Sequence, residues 1–148
     1  MKKTIIVLTF IVVIAASIVY FNCPQRKLEL FLTFIYTTNY DGRMDKILEA
    51  EEVNDEDINF YYATIEYITS EELLNKLVNN RIPFVYDLSY ADTPYLVKTI
   101  NLTKVDSKGK YDYEVVCSNE SSTITFTGNV RINEGKIDYF YEKSNKIN

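Results

Sequence analysis

Thirteen tyrosines and 21 carboxylates, in a chain of 148 residues with no histidine and no tryptophan, are the side chains that could do chemistry here. Ten of the tyrosines fall between Tyr61 and Tyr141. Each offers apolar area plus a hydroxyl, so together they suit either the lining of an aromatic pocket or plain core and strand filling. Without histidine there is no catalytic imidazole, no imidazole pH switch and no histidine metal ligand. The acidic stretch Glu49, Glu51, Glu52, Asp55, Glu56, Asp57 could attract a hard cation, and Asp55, Asp57, Asn59 and Glu66 even occupy positions 1, 3, 5 and 12 of a calcium loop. Phe60 stands where that loop needs its glycine. A solvated acidic loop is therefore expected, with neither metal nor cofactor.

Cys23 and Cys117 lack metal-ligand spacing and are too few for a disulfide framework. Cys117 is expected on the core face of a strand, where a thiol packs rather than reacts. Arg81, just past a predicted helix, is read either as an anchor for an anion or as a donor to the last carbonyls of that helix. Asn101-Leu-Thr and Asn119-Glu-Ser are glycosylation patterns, with meaning only in a eukaryotic secretory pathway. Formal charge is −5, and beyond Lys2 and Lys3 it is about −7. That sign, with no run of Lys and Arg, opposes nucleic-acid binding.

Thr4 to Phe21 (TIIVLTFIVVIAASIVYF) carries no charge. Its 18 residues would span roughly 27 Å as a helix, close to the thickness of a hydrocarbon core. It is read as an uncleaved single-pass anchor, with residues 1–23 forming the membrane part and 24–148 one domain. Lys2 and Lys3 before it favour an inside amino terminus, which places the domain outside the cytoplasm. Two rivals keep the compartment but change the tether. Ala15-Ala16-Ser17 offers a small-residue cleavage site, and Cys23 offers a lipid attachment point, although Tyr20 and Asn22 are poor neighbours for one.

The elements that must position any site follow from hydrophobic periodicity. Arg26 to Thr38 reads as an amphipathic helix with Leu28, Phe31 and Ile35 in one stripe. Asp41 would cap a second helix reaching about Ala50. Asn59 to Ile68 tilts toward a short strand because it is rich in Tyr, Ile, Phe and Thr. Thr69 and Glu72 make a capping box that opens a helix through Leu77 and Val78, ended by Asn79-Asn80 with Pro83 beyond. Four strands close the chain, at about Tyr95–Val105, Lys110–Ser118, Ser122–Ile132 and Lys136–Glu142. Pairing Ile100 with Val115, Leu102 with Tyr113, Val115 with Ile124, Tyr113 with Phe126, Ile132 with Ile137 and Val130 with Tyr139 gathers the apolar residues on one face. The fold class is then α+β, with helices covering the apolar face of a curved antiparallel sheet of four or more strands. Gly128, set opposite Tyr111, is where a curved sheet would leave out a side chain beneath an aromatic ring.

Thr69-Ser-Glu-Glu-Leu-Leu-Asn-Lys-Leu77 followed by Asn80-Arg-Ile-Pro83, the Asn39-Tyr-Asp41 break between two helices, and Gly128-Asn-Val-Arg131 late in the sheet carry a resemblance. Over residues 25–142 the chain resembles the nuclear transport factor 2-like, cystatin-like α+β superfamily, and within it the membrane-anchored members of Gram-positive conjugation and envelope proteins. The resemblance implies a helix pair, a strand, another helix and a curved sheet around a cone-shaped cavity. It also implies a non-enzymatic binding or scaffold domain with a protein partner in an envelope assembly such as a conjugation or secretion apparatus. The alternative is a small-ligand or immunity-type surface protein whose cavity is lined by Phe31, Ile35, Tyr113, Phe126, Val130 and Tyr139. Some relatives are acid–base enzymes using a pocket tyrosine and a carboxylate, but no such pair stands out here, and no catalytic residue is assigned.

Overall fold

The structure, a computed structural model, describes residues 23–147. The apolar segment read as a membrane anchor lies outside the described residues, and no helix among the described residues is long and apolar enough to cross a membrane. The domain is α+β, with helices preceding a four-stranded antiparallel sheet.

Helix α1, Pro24–Tyr36, starts on a proline, whose fixed φ suits the first helical position. It buries Leu28, Phe31, Leu32, Phe34, Ile35 and Tyr36. Asn39, Asp41 and Gly42 then take left-handed backbone and turn the chain through a 3-10 segment, Tyr40–Gly42, into α2, Arg43–Glu49. Asp41 does not cap α2 as expected. Instead Asn39 Oδ1 accepts the Met44 amide at 2.7 Å while its Nδ2 donates to Asp45, so one asparagine holds both sides of the turn.

Of residues 59–68, expected as a strand, 59–66 belong to helix α3, Asp55–Glu66, and Tyr67 and Ile68 form the turn after it. The reason lies just upstream. Asn54 accepts from the amides of Glu56 and Asp57 while Asp57 reaches back to the Asn54 amide, and this capping box with its acidic first turn starts a helix that outweighs the β-prone composition behind it. Tyr61, Tyr62 and Ile65 then share the buried side. Helix α4, Glu71–Asn79, is capped by Ser70 rather than by Thr69. Thr69 is engaged elsewhere, in a parallel bridge to Ile137 that seals the start of the last strand. A fifth helix, α5, Phe84–Ser89, follows Pro83.

Strands β1 (Leu96–Lys104), β2 (Lys110–Ser118), β3 (Thr123–Asn133) and β4 (Lys136–Ile147) form a meander in sequence order. The pairs Ile100 with Val115, Leu102 with Tyr113, and Ile132 with Ile137 are as expected. Between β2 and β3 the expected register is off by two: Cys117 faces Ile124, Val115 faces Phe126 and Tyr113 faces Gly128. The loop is longer because Asn119 Oδ1 takes the amides of Ser121 and Ser122 and closes a four-residue turn. A slip of two preserves the faces, so Tyr113, Val115, Cys117, Ile124, Phe126 and Val130 all point inward. The bulge between Arg131 and Ile132 does change a face. It sets Val130 opposite Phe140 rather than Tyr139, and Tyr139 is left 41% exposed.

Candidate functional site

The residues named as a cavity lining are taken up in packing. Phe31, Ile35, Tyr113, Phe126 and Val130 are buried, whereas Tyr139 lies outside. Phe31 meets Phe140 edge-on with ring centres 5.4 Å apart, Tyr36 stacks on Phe126 at 4.3 Å, and Tyr113 stacks on Phe140 at 5.9 Å. Phe140 thus occupies the place expected for Tyr139. Within this layer lies one polar knot. Tyr113 and Tyr36 join through their hydroxyls at 2.7 Å, Tyr36 donates to Glu142 at 3.0 Å, and Tyr86 donates to the same carboxylate oxygen.

Burial, followed by the neighbouring phenol Tyr113 and the Glu142 charge, drives the Tyr36 hydroxyl far above the usual range for tyrosine. Burial also raises Tyr86 and Tyr113. Burial thus keeps Tyr36 and Tyr86 protonated, and both donate to the Glu142 carboxylate. Glu142 and Tyr36 escaped the sequence reading. Tyr36 does continue the stripe through Leu28, Leu32 and Ile35, but nothing local announces its partner 106 residues away. Cys117 is buried against the Tyr36 carbonyl, and burial pushes its thiol up to about 12, which fits packing.

A second buried cluster joins the helices. Arg43 and Asp87, 3% and 1% exposed, form a two-pronged ion pair at 2.7 and 2.9 Å. Arg43 also donates to the carbonyls of Phe34 and Thr37, and its guanidinium lies over the Phe34 and Tyr61 rings at 4.3 and 4.9 Å. Asp87 accepts the Asn39 amide and the Tyr61 hydroxyl as well. Burial raises Tyr61 strongly, Arg43 opposing and the hydrogen bond to Asp87 adding. With its partners all drawn from the protein, this cluster ties α1, α2, α3 and α5 together.

An open groove with apolar walls lies on the helical side, apart from a larger and more polar depression of about 600 Å³ at Thr93, Pro94, Leu96, Lys98 and Asn119. Ile47 of α2, Val53 of the following loop, Ile58, Tyr61 and Tyr62 of α3, Val78 and Arg81 at the end of α4, and Phe84 of α5 line a groove of about 390 Å³. Its walls are almost wholly apolar. On the same helices Leu48, Phe60, Val85 and Leu88 are exposed, from 45% for Phe60 to 69% for Leu48. Of these, Phe60 has the Lys46 ammonium over its ring at 3.8 Å.

Arg81, in left-handed backbone at φ 54°, stands at the groove. The Lys76 carbonyl of α4 is taken by both the amide and the side chain of Asn80. The Arg81 side chain has no ion pair or hydrogen bond among the described residues, the last carbonyls of α4 included. Glu49 at the end of α2, Glu51 and Glu52 in the loop that contributes Val53, and Asp55 and Glu56 in the first turn of α3 lie exposed. They make no ion pair among the described residues. The calcium-loop spacing fails in space, because Asp55 and Glu66 are the first and last residues of α3, about 16 Å apart along its axis. No group of metal-ligating side chains forms among the described residues. Comparison of the chain with protein-family models, curated proteins and solved structures finds no match.

Proposed function

We propose that this chain is a non-enzymatic, membrane-anchored binding or scaffold domain held outside the cytoplasm, serving an envelope assembly such as a conjugation or secretion apparatus. Its working surface is the helical groove. The observation that carries this reading is an apolar trough, lined in part by exposed Val53, on helices that also expose Leu48, Phe60, Val85 and Leu88, with Arg81 unpaired among the described residues and five exposed carboxylates between Glu49 and Glu56. The occupant that matches is an apolar segment of a partner protein, with basic residues facing Glu51, Glu52 and Glu56 and a carboxylate or carbonyl facing Arg81.

The uncharged run at 4–21 supports the tether. The order of helices then a four-stranded meander, its bulges, and Gly128 beneath Tyr113 support a curved sheet of the nuclear transport factor 2-like type. The bridge of Thr69 to Ile137 stands where that family would place its early strand, while α3 departs from the pattern. A small-ligand or immunity-type binder is less favoured, because the side chains that would line its cavity pack against one another.

Affinity isolation of the full chain from detergent-solubilised membranes tests the reading. One protein should be recovered in stoichiometric amount, and V85D/L88D should lose it, since both side chains are about half exposed and leave the core intact. A chain recovered alone, or a partner retained by the double variant, overturns the proposal.

A further inference from the structure

The end of the domain at which the chain comes in from its apolar segment is charged unlike the rest. The first turn of α1 meets the β1–β2 and β3–β4 hairpin loops there. Pro24, Lys104, Lys108, Tyr111 and Gly135 share one shallow depression, the Ile132 amide bonds the Gly109 carbonyl at 3.0 Å, and Lys27 Nζ donates to the Gly135 carbonyl at 2.9 Å. Lys136 bonds the Tyr67 carbonyl and draws the end of α3 into the same surface.

Six cations collect at this end: Arg26, Lys27, Lys104, Lys108, Lys110 and Lys136. The carboxylates beside them are Glu29, Glu66, Asp106 and Glu134. Of these, Glu29 is paired with Arg26, and Asp106 Oδ1 accepts the amides of Lys108 and Lys110 in its own loop. The remainder of residues 24–147 holds nine more carboxylates than cations. A positive end on an acidic domain is a directed arrangement of charge. It also carries two exposed interfacial side chains, Tyr67 at 62% and Val105 at 50%.

We infer that this basic end rests on the anionic headgroups of the membrane that holds the chain. The inference deepens the tether proposed above, and rests on it for the direction in which the domain faces. Lysine and arginine stems lie along apolar surface while their charges meet lipid phosphates, and tyrosine sits at headgroup depth. Each cation near an anionic bilayer adds attraction that salt weakens. Seated this way, the domain turns its acidic portion, with the loop 49–57, away from a surface that would attract cations.

The full chain carrying V105W has a single tryptophan, because the natural sequence has none. Reconstituted into vesicles of phosphatidylcholine alone, or with roughly one third phosphatidylglycerol, it reports contact through quenching by brominated lipid. Expected are a blue shift and a loss of emission in the anionic vesicles, reversed by high salt and by K104E/K108E. K146E, at the far end of β4, should leave them unchanged. Equal emission in neutral and anionic vesicles that both retain the chain overturns the inference while leaving the tether standing. Retention by anionic vesicles only, with the shift, overturns the tether and keeps the basic surface. A chain that floats with neither overturns both.

Discussion

Replacing Arg43 with alanine is expected to lower stability by about 3–5 kcal/mol, because it leaves the Asp87 carboxylate buried without its counter-charge. The carbonyls of Phe34 and Thr37 lose their donor in the same step, and the rings of Phe34 and Tyr61 lose the cation between them. Asp87→Ala should cost a similar amount for the mirrored reason. The double variant R43M/D87L, which removes both charges and keeps apolar volume, should be less harmful than either single change. Urea unfolding followed by circular dichroism measures all three. A loss below about 1 kcal/mol for Arg43→Ala would mean that the guanidinium reaches water in the native protein.

Gly128→Val should be nearly as damaging, by about 3 kcal/mol. A Cβ at this position would overlap the carbonyl oxygen of Tyr141 on the neighbouring strand and the ring and hydroxyl of Tyr113 across the β2–β3 pair. Neither can yield freely. The Tyr141 oxygen belongs to backbone, and Tyr113 is fixed by Tyr36 and by the stacked Phe140. Thermal unfolding should show a clear drop in midpoint. The accompanying Y113F/G128A variant removes the hydroxyl and adds the smallest side chain, and it should recover only part of the loss because the backbone overlap persists. Full recovery would show that the hydroxyl alone sets the requirement for glycine.

The sheet was readable because its alternation is long and clean: Tyr111, Tyr113, Val115 and Cys117 face in while Asp112 and Glu114 face out. Period two also explains the undetected register slip, since moving β3 by two residues alters every partner and no face. A bulge is different. It shifts the face by one, and nothing in Arg131-Ile132 announces it, so Tyr139 and Phe140 exchanged places. For α3 the local signals conflicted, with β-prone Tyr, Ile and Phe set against the Asn54 to Asp57 capping box, and the cap won.

Arg43 and Asp87 sit among 37 charged residues, and which of them becomes buried depends on the meeting of helices 44 residues apart. The groove has the same origin. Nothing in the sequence sets Ile47, Ile58, Val78 and Phe84 apart from other apolar residues, and only the packing of four helices leaves a trough between them. Arg81 was singled out by its place beyond the end of α4, which is equally compatible with an anion anchor and with a donor to the last carbonyls of that helix.

Site-directed photo-cross-linking in native membranes tests most directly whether the helical side is the working surface. A photoreactive residue at Val85, beside the groove, and another at Thr127, on the outer face of the sheet, allow the two sides of one protein to be compared. The groove should give a single cross-linked species of defined mass, weakened by E51K/E52K and by R81E, while Thr127 gives none. Cross-linking from Thr127 alone, or a Val85 product indifferent to all three charge reversals, would contradict the groove as the place where a basic-flanked apolar partner is held.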